Sequence, residues 1–194
     1  MKRLLPIVLA LSLALAADAQ TLDKDRGQKS ATVMDKVDTL NLMNQINPLV
    51  MTKEQIRKIL PAIEKARQKV KDIEKVEADE LRRLEEKLDG ALKDGYEKAA
   101  VPSPDLIKEL QGIFNAMRIR RELIASENAE NVLKVVLETL NVGQKKAAAN
   151  SLNPKQFNPN FKPEEFTEED RLRLYTREIL LHPLAYDLLV KLSK

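Results

Sequence analysis

The chain has no cysteine and no tryptophan, one histidine, and aromatic residues at only 4% of its 194 positions. Each shortage closes off a class of protein. Without cysteine there are no disulfides to staple a small core, and no thiolate ligand or nucleophile. The single histidine, His182, cannot build a zinc site, which draws on several His or Cys ligands. It stands before Pro183, where a structural place at a helix end is expected. A calcium loop, with spaced Asp and Asn around a glycine, is missing as well. So are a nucleophile elbow, a phosphate-cradling glycine loop and a Ser/His/Asp arrangement. The paired acids Glu85-Glu86 and Glu168-Glu169-Asp170 fit solvent faces or a first helical turn and do not face each other across a cleft. The expectation is a protein that is not an enzyme and takes neither cofactor nor metal.

Strong charge of one sign is also lacking. Thirty-three Lys and Arg stand against 30 Asp and Glu, which gives no footprint for nucleic acid. The one compact basic spot is Arg118, Arg120 and Arg121, which reads first as solvated helix surface. With few aromatics, the core must come from Leu, Ile, Val, Met and Ala. That suits helices with facing apolar stripes better than a sandwich of alternating strands.

What is present begins with Met1-Lys2-Arg3, an apolar run from Leu4 to Ala16, and Ala17-Asp18-Ala19. A short basic start, an apolar stretch too short to span a bilayer and a small-x-small end make a secretory signal over 1–19. Cleavage is expected after Ala19. It would remove Lys2, Arg3 and Asp18, leaving 31 bases against 29 acids. The protein is therefore expected in the periplasm or secreted, with no membrane span after cleavage.

Residues 20–30 are polar and read as a flexible N-terminus. From Ala31 the spacing of Val33, Val37, Leu40 and Met43 predicts one helix face, ended by Asn47-Pro48. Met51-Thr52-Lys53-Glu54-Gln55-Ile56 then opens a long helix. Thr52 is its N-cap, Gln55 closes a capping box, and Met51 with Ile56 suits a hydrophobic staple. Ile59, Ile63, Ala66, Val70 and Ile73 continue as a seam at four- and three-residue steps, with a slip near Val76 to Glu80, after which Leu81, Leu84 and Leu88 follow. Pro61 predicts a kink, and Gly90 and Gly95 a frayed end. Ser103-Pro104 starts a second long helix that should return antiparallel. Leu140-Asn141-x-x-Gln144 starts a shorter one. Residues 153–166 read as a Pro/Asn-rich linker held down by Phe157 and Phe161, and 167–194 as a separate C-terminal helical segment capped at Thr167.

The pair Met51-Thr52-x-x-Gln55 and Leu140-Asn141-x-x-Gln144, in an exported, cysteine-free, helical chain, resembles the Spy/CpxP family of periplasmic stress proteins, which carry two Leu-Thr-x-x-Gln motifs. Here Met51 stands for the motif's Leu and Asn141 for its Thr. The likeness covers 31–152. It implies an all-α protein, with a long antiparallel helical hairpin and shorter flanking helices in a thin curved bundle. The C-terminal helices are an extension outside the likeness. It also implies a homodimer acting as an ATP-independent chaperone that holds unfolded or misfolded envelope proteins on an amphipathic helical surface. The motif residues are read as structural caps. Met34, Met43 and Met117, with Arg118, Arg120 and Arg121, are the expected client or partner surface, because thioethers repack easily against varied partners. The alternative is a helical adaptor or negative regulator that docks on an envelope sensor through 167–194.

Overall fold

A computed structural model describes residues 24–157, 159–160 and 162–194; among them the chain is all-helical, with no strand. The expected export signal and Phe161 lie outside the described residues. Seven α-helices follow in order among the described residues: α1 (Lys24–Ile46), α2 (Lys53–Arg82), α3 (Glu85–Lys98), α4 (Pro104–Thr139), α5 (Val142–Ser151), α6 (Glu168–Tyr175) and α7 (Ala185–Leu192). No described helix is long and apolar enough to cross a membrane.

The chain divides into two units, 1–38 and 39–194. In the first, α1 is already helical from Lys24, inside the stretch expected to be flexible. A single Gly27 costs only about 1 kcal/mol, too little to stop a helix of otherwise tolerable residues. Val33, Met34 and Val37 are exposed there. In the second unit, the last turns of α1 bury Leu42 and Ile46, followed by Leu49 in the short turn after the helix. The buried face of α1 is thus not the face of Val33, Val37 and Leu40, since Leu40 is exposed too. Two apolar stripes overlap on this helix, and the core takes the one next to Pro48.

The hairpin is antiparallel, and its pairings show the register. Gln55 reaches Thr139, Asn128 donates to the carbonyl of Ala66, Lys69 meets Glu127, Arg120 meets Glu80, and Lys87 meets Glu109. Partner numbers fall along α4 as they rise along α2 and α3. Pro61 lies inside an unbroken α2. The break falls later, at Arg83–Leu84, and both Gly90 and Gly95 lie inside α3. That helix ends on Ala99, in the left-handed region.

The core sits at the base of the hairpin. Ile56, Ile59 and Ile63 of α2 pack with Val132, Leu133 and Val136 of α4, Ala148 and Ala149 of α5, and the end of α1. Burying each large aliphatic side chain stabilises the fold by about 1.5–3 kcal/mol before entropy is counted. The segment 167–194 belongs to this same core. Leu172, Tyr175, Ile179, Leu180, Leu188 and Leu189 are all part of it, so the segment is not a separate module. The Tyr175 hydroxyl donates to the carbonyl of Gln45 at 3.1 Å, and burial pushes its pKa well up. Arg57 donates to the Ser193 carbonyl, and the Arg67 guanidinium lies 4.3 Å from the centre of the Tyr186 ring. Arg173 ties α6 to Glu130 of α4. The linker is held by buried Pro154, while Phe157 is exposed.

Beyond Ala66 and Asn128 the hairpin leaves the core. From there to its turn only Glu77, Leu84 and Met117 are buried. Two helices alone can cover one face each, so the rest stays half-open.

Val50 joins the turn after α1 to α2 with φ of 47°, where a β-branched residue is strained. Its side chain is 80% exposed and contributes no packing. Val50→Asn is expected to raise stability by about 1 kcal/mol, since Asn tolerates this region. A thermal melt checks it; a lower midpoint would show that the valine side chain itself matters.

Candidate interaction surface

The two motifs meet. Thr52 caps α2, its hydroxyl accepting from Gln55 N at 3.2 Å, while Thr52 N donates to Gln55 Oε1 at 3.0 Å. Asn141 caps α5 in the same way, accepting from Gln144 N at 2.9 Å and donating its own N–H to Gln144 Oε1 at 3.0 Å. The two glutamine amides then bond each other reciprocally. Gln55 Nε2 donates to Gln144 Oε1 at 2.9 Å, and Gln144 Nε2 donates to Gln55 Oε1 at 3.0 Å. The second hydrogen of Gln55 Nε2 goes to the Thr139 carbonyl at 3.0 Å, and that of Gln144 Nε2 to the Val50 carbonyl at 3.3 Å.

Both amides are thereby filled, with two donors and two acceptors used on each. A capping box on its own accepts Glu as readily as Gln. This arrangement does not, because a carboxylate cannot donate to the facing amide and carbonyl. Leu140 is buried and Met51 half-buried on the core beside the node, and Ile56 follows them inward. The motif residues close the hairpin's base, and they are not laid out to receive a ligand.

The residues expected to form a client surface are dispersed. Met117 is 5% exposed and Met43 packs against the core, so neither offers an open face. Both fall on inward stripes, Met117 of the hairpin seam and Met43 of the core. Met34 is exposed, but in the other unit. Arg120 and Arg121 are spent on Glu80 and Glu77 across the hairpin. Arg118 stays on the surface, bonded to Glu122 at 2.9 Å and Asn115 at 2.8 Å.

A different open surface is present on the distal hairpin. Ala116, Ile119 and Leu123 lie three and four residues apart along α4, all exposed, with Leu123 at 65%. Phe114 is exposed on a neighbouring face. At the hairpin turn Leu92, Tyr96 and Val101 are exposed as well. Arg118 and Glu122 stand beside the Ile119–Leu123 stripe, so apolar and charged groups alternate along it. Outward Leu and Ile at helical spacing were legible as a pattern, but one inward seam explained most apolar residues of α4 and hid the second stripe.

A groove of about 600 Å³ lies between α4 and 165–177, lined by Ala125, Ala129, Phe166 and Leu174 among acidic and basic side chains. It is open to solvent and holds no convergent set of reactive groups. No group of three or more His, Cys, Asp or Glu among the described residues could hold a metal ion. His182 lies in the turn before α7, its Nδ1 accepting from Leu184 N at 3.3 Å.

Truncating Gln55 or Gln144 to Ala leaves the other amide's partners unmatched and is expected to cost about 1–3 kcal/mol. The second truncation should cost less than the first. Gln55→Glu keeps the cap but should still destabilise. Chemical denaturation of the four-member cycle measures this; additive effects, or a neutral Gln55→Glu, would deny the coupling.

No family model, no curated protein and no solved structure matches this chain. The likeness to the Spy/CpxP family therefore rests on the two motifs and their setting.

Proposed function

We propose that this protein is an ATP-independent, chaperone-like stress protein of the Spy/CpxP type, exported from the cytoplasm and working as a homodimer. It holds unfolded or misfolded envelope proteins on the outer face of its distal hairpin. The observation that supports this reading is the exposed stripe of Ile119 and Leu123 with Arg118 and Glu122 beside it. Exposed apolar side chains set among charges bind unfolded segments weakly and without sequence preference, because little of either partner is desolvated at once. Release then needs no nucleotide. The export signal supports the compartment, since a protein that meets unfolded envelope chains must itself leave the cytoplasm.

The adaptor reading, with 167–194 as the docking segment, draws less support. The large apolar residues of that segment lie in the core, so releasing them to a partner would open the fold.

An aggregation assay with a chemically unfolded client tests the proposal. The wild-type protein at equimolar or higher dimer should suppress light scattering. Ile119→Ser combined with Leu123→Ser, both at exposed positions, should keep the helical signal and weaken suppression several-fold. Absence of suppression by the wild type would end the chaperone reading; full activity of the double variant would move the surface elsewhere.

A further inference from the structure

The groove between α4 and residues 165–177 exists because α4 leaves its flank low there. Ala125 and Ala129 stand one turn apart and present only methyl groups, while Phe166 and Leu174 line the groove from the other side. Ala129 and Leu174 are buried and Phe166 is half-buried, so packing fixes this lining before anything binds. The volume of about 600 Å³ falls within the roughly 300–1,000 Å³ of sites that take a ligand. Glu122, which stands beside the Ile119–Leu123 stripe, also lines the groove, so the stripe opens into it.

The rim carries a surplus of acid. Arg173 stands among three carboxylates, paired with Glu130, with Asp170 at 2.9 Å and with Glu169 at 3.2 Å. One cation against three anions leaves two negative charges over. The other ionic groups of the lining are matched one to one, Glu122 with Arg118, Glu165 with Lys162 and Arg177 with Glu178. The neighbouring chain does not restore the balance, since 162–178 carries six acids against four bases. Hydrogen bonds from Thr167 hold the Asp170 carboxyl below its usual range, so it is charged at neutral pH.

We propose that this groove selects, among unfolded client segments, those in which large apolar side chains are flanked by lysine or arginine. This rests on the client-holding function proposed above and names the kind of segment it takes. The apolar side chains leave water against Ala129, Phe166 and Leu174, and the flanking cations meet the surplus negative charge around Arg173. The same apolar side chains flanked by acids would meet like charge there. Attraction at an exposed rim is weak and screened by salt, so such contacts part readily, as a holder without nucleotide requires.

Fluorescence anisotropy with short labelled peptides tests this. One peptide carries leucine and phenylalanine at its centre and lysines at both ends. A second has glutamates for the lysines, and a third has serines for the apolar pair. At low salt the lysine peptide should bind about tenfold more tightly than the glutamate peptide, the weight of a few exposed ion pairs, and the serine peptide hardly at all. Ser126→Trp, which fills the groove from an exposed position, should weaken binding of the lysine peptide several-fold. Glu169→Lys, also at an exposed position, brings the charges around Arg173 into balance and should abolish the preference for lysine over glutamate. Equal binding of the first two peptides overturns the proposal, as does binding untouched by Ser126→Trp or a preference that survives Glu169→Lys. Binding that weakens as protein concentration rises gives the groove to a second copy and overturns it too. Client holding is read separately, by aggregation suppression. A protein that suppresses scattering without discriminating the peptides keeps the function and loses the groove. One that discriminates them as described without suppressing scattering keeps the groove as a peptide site and loses the function.

Discussion

The fold depends on one pair of side chains, Gln55 and Gln144, bonded amide to amide. Each closes the first turn of its own helix and, with the same atoms, holds the start of the other. The node ties the beginning of α2 to the end of α4 through Thr139, and to the turn after α1 through Val50. It also sets the register of the hairpin at its base. Once Gln55 lies opposite Thr139, Ala66 falls opposite Asn128. A buried polar network is worth having only when each member is satisfied, and here all the amide groups are.

From that node the hairpin changes character along its length. Near the base, α2 and α4 are covered by the end of α1, by α5 and by the C-terminal helices, so their apolar residues find neighbours on several sides. Farther out they have only each other. Ion pairs then take over much of the contact between the helices, at Lys69–Glu127, Glu77–Arg121, Glu80–Arg120 and Lys87–Glu109. Pairs of this kind, when partly exposed, add little net stability but specify which residues face one another. A hairpin built so is well registered and weakly held at its far end.

Local chemistry was legible in the sequence, and tertiary partnership was not. The caps at Thr52, Ser103, Asn141 and Thr167 all start helices, because a side-chain oxygen three residues from an unpaired N–H acts through contacts close in sequence. The antiparallel return of α4 followed from the short connection. That the two capping boxes touch could not be read, since nothing in either motif records a contact 89 residues away. The choice of Gln over Glu in both was the available signal. The segment 167–194 read as an extension because a Pro/Asn-rich stretch precedes it, yet such a stretch can carry a chain back to its own core as well as away from it. The slip in the seam near Val76 to Glu80 was visible as a pattern, and its cause is the charged layer with Arg120 and Arg121.

The exposed apolar residues of α4 gain meaning from the geometry of a two-helix layer. Each helix there has one inward face, already filled by Leu106, Leu110, Ile113, Met117 and Ile124, which are all half-buried or buried. Ile119 and Leu123 therefore have no neighbour within the hairpin that they could join by a small adjustment. Scattered exposed leucines are ordinary on protein surfaces. A pair at helical spacing, on a segment that other helices leave uncovered, is less so. Folding alone gives no reason for apolar groups at those positions, because polar ones would serve the helix as well and keep it more soluble. That is the physical ground on which the proposed client surface is placed on this face and not on the capping motifs.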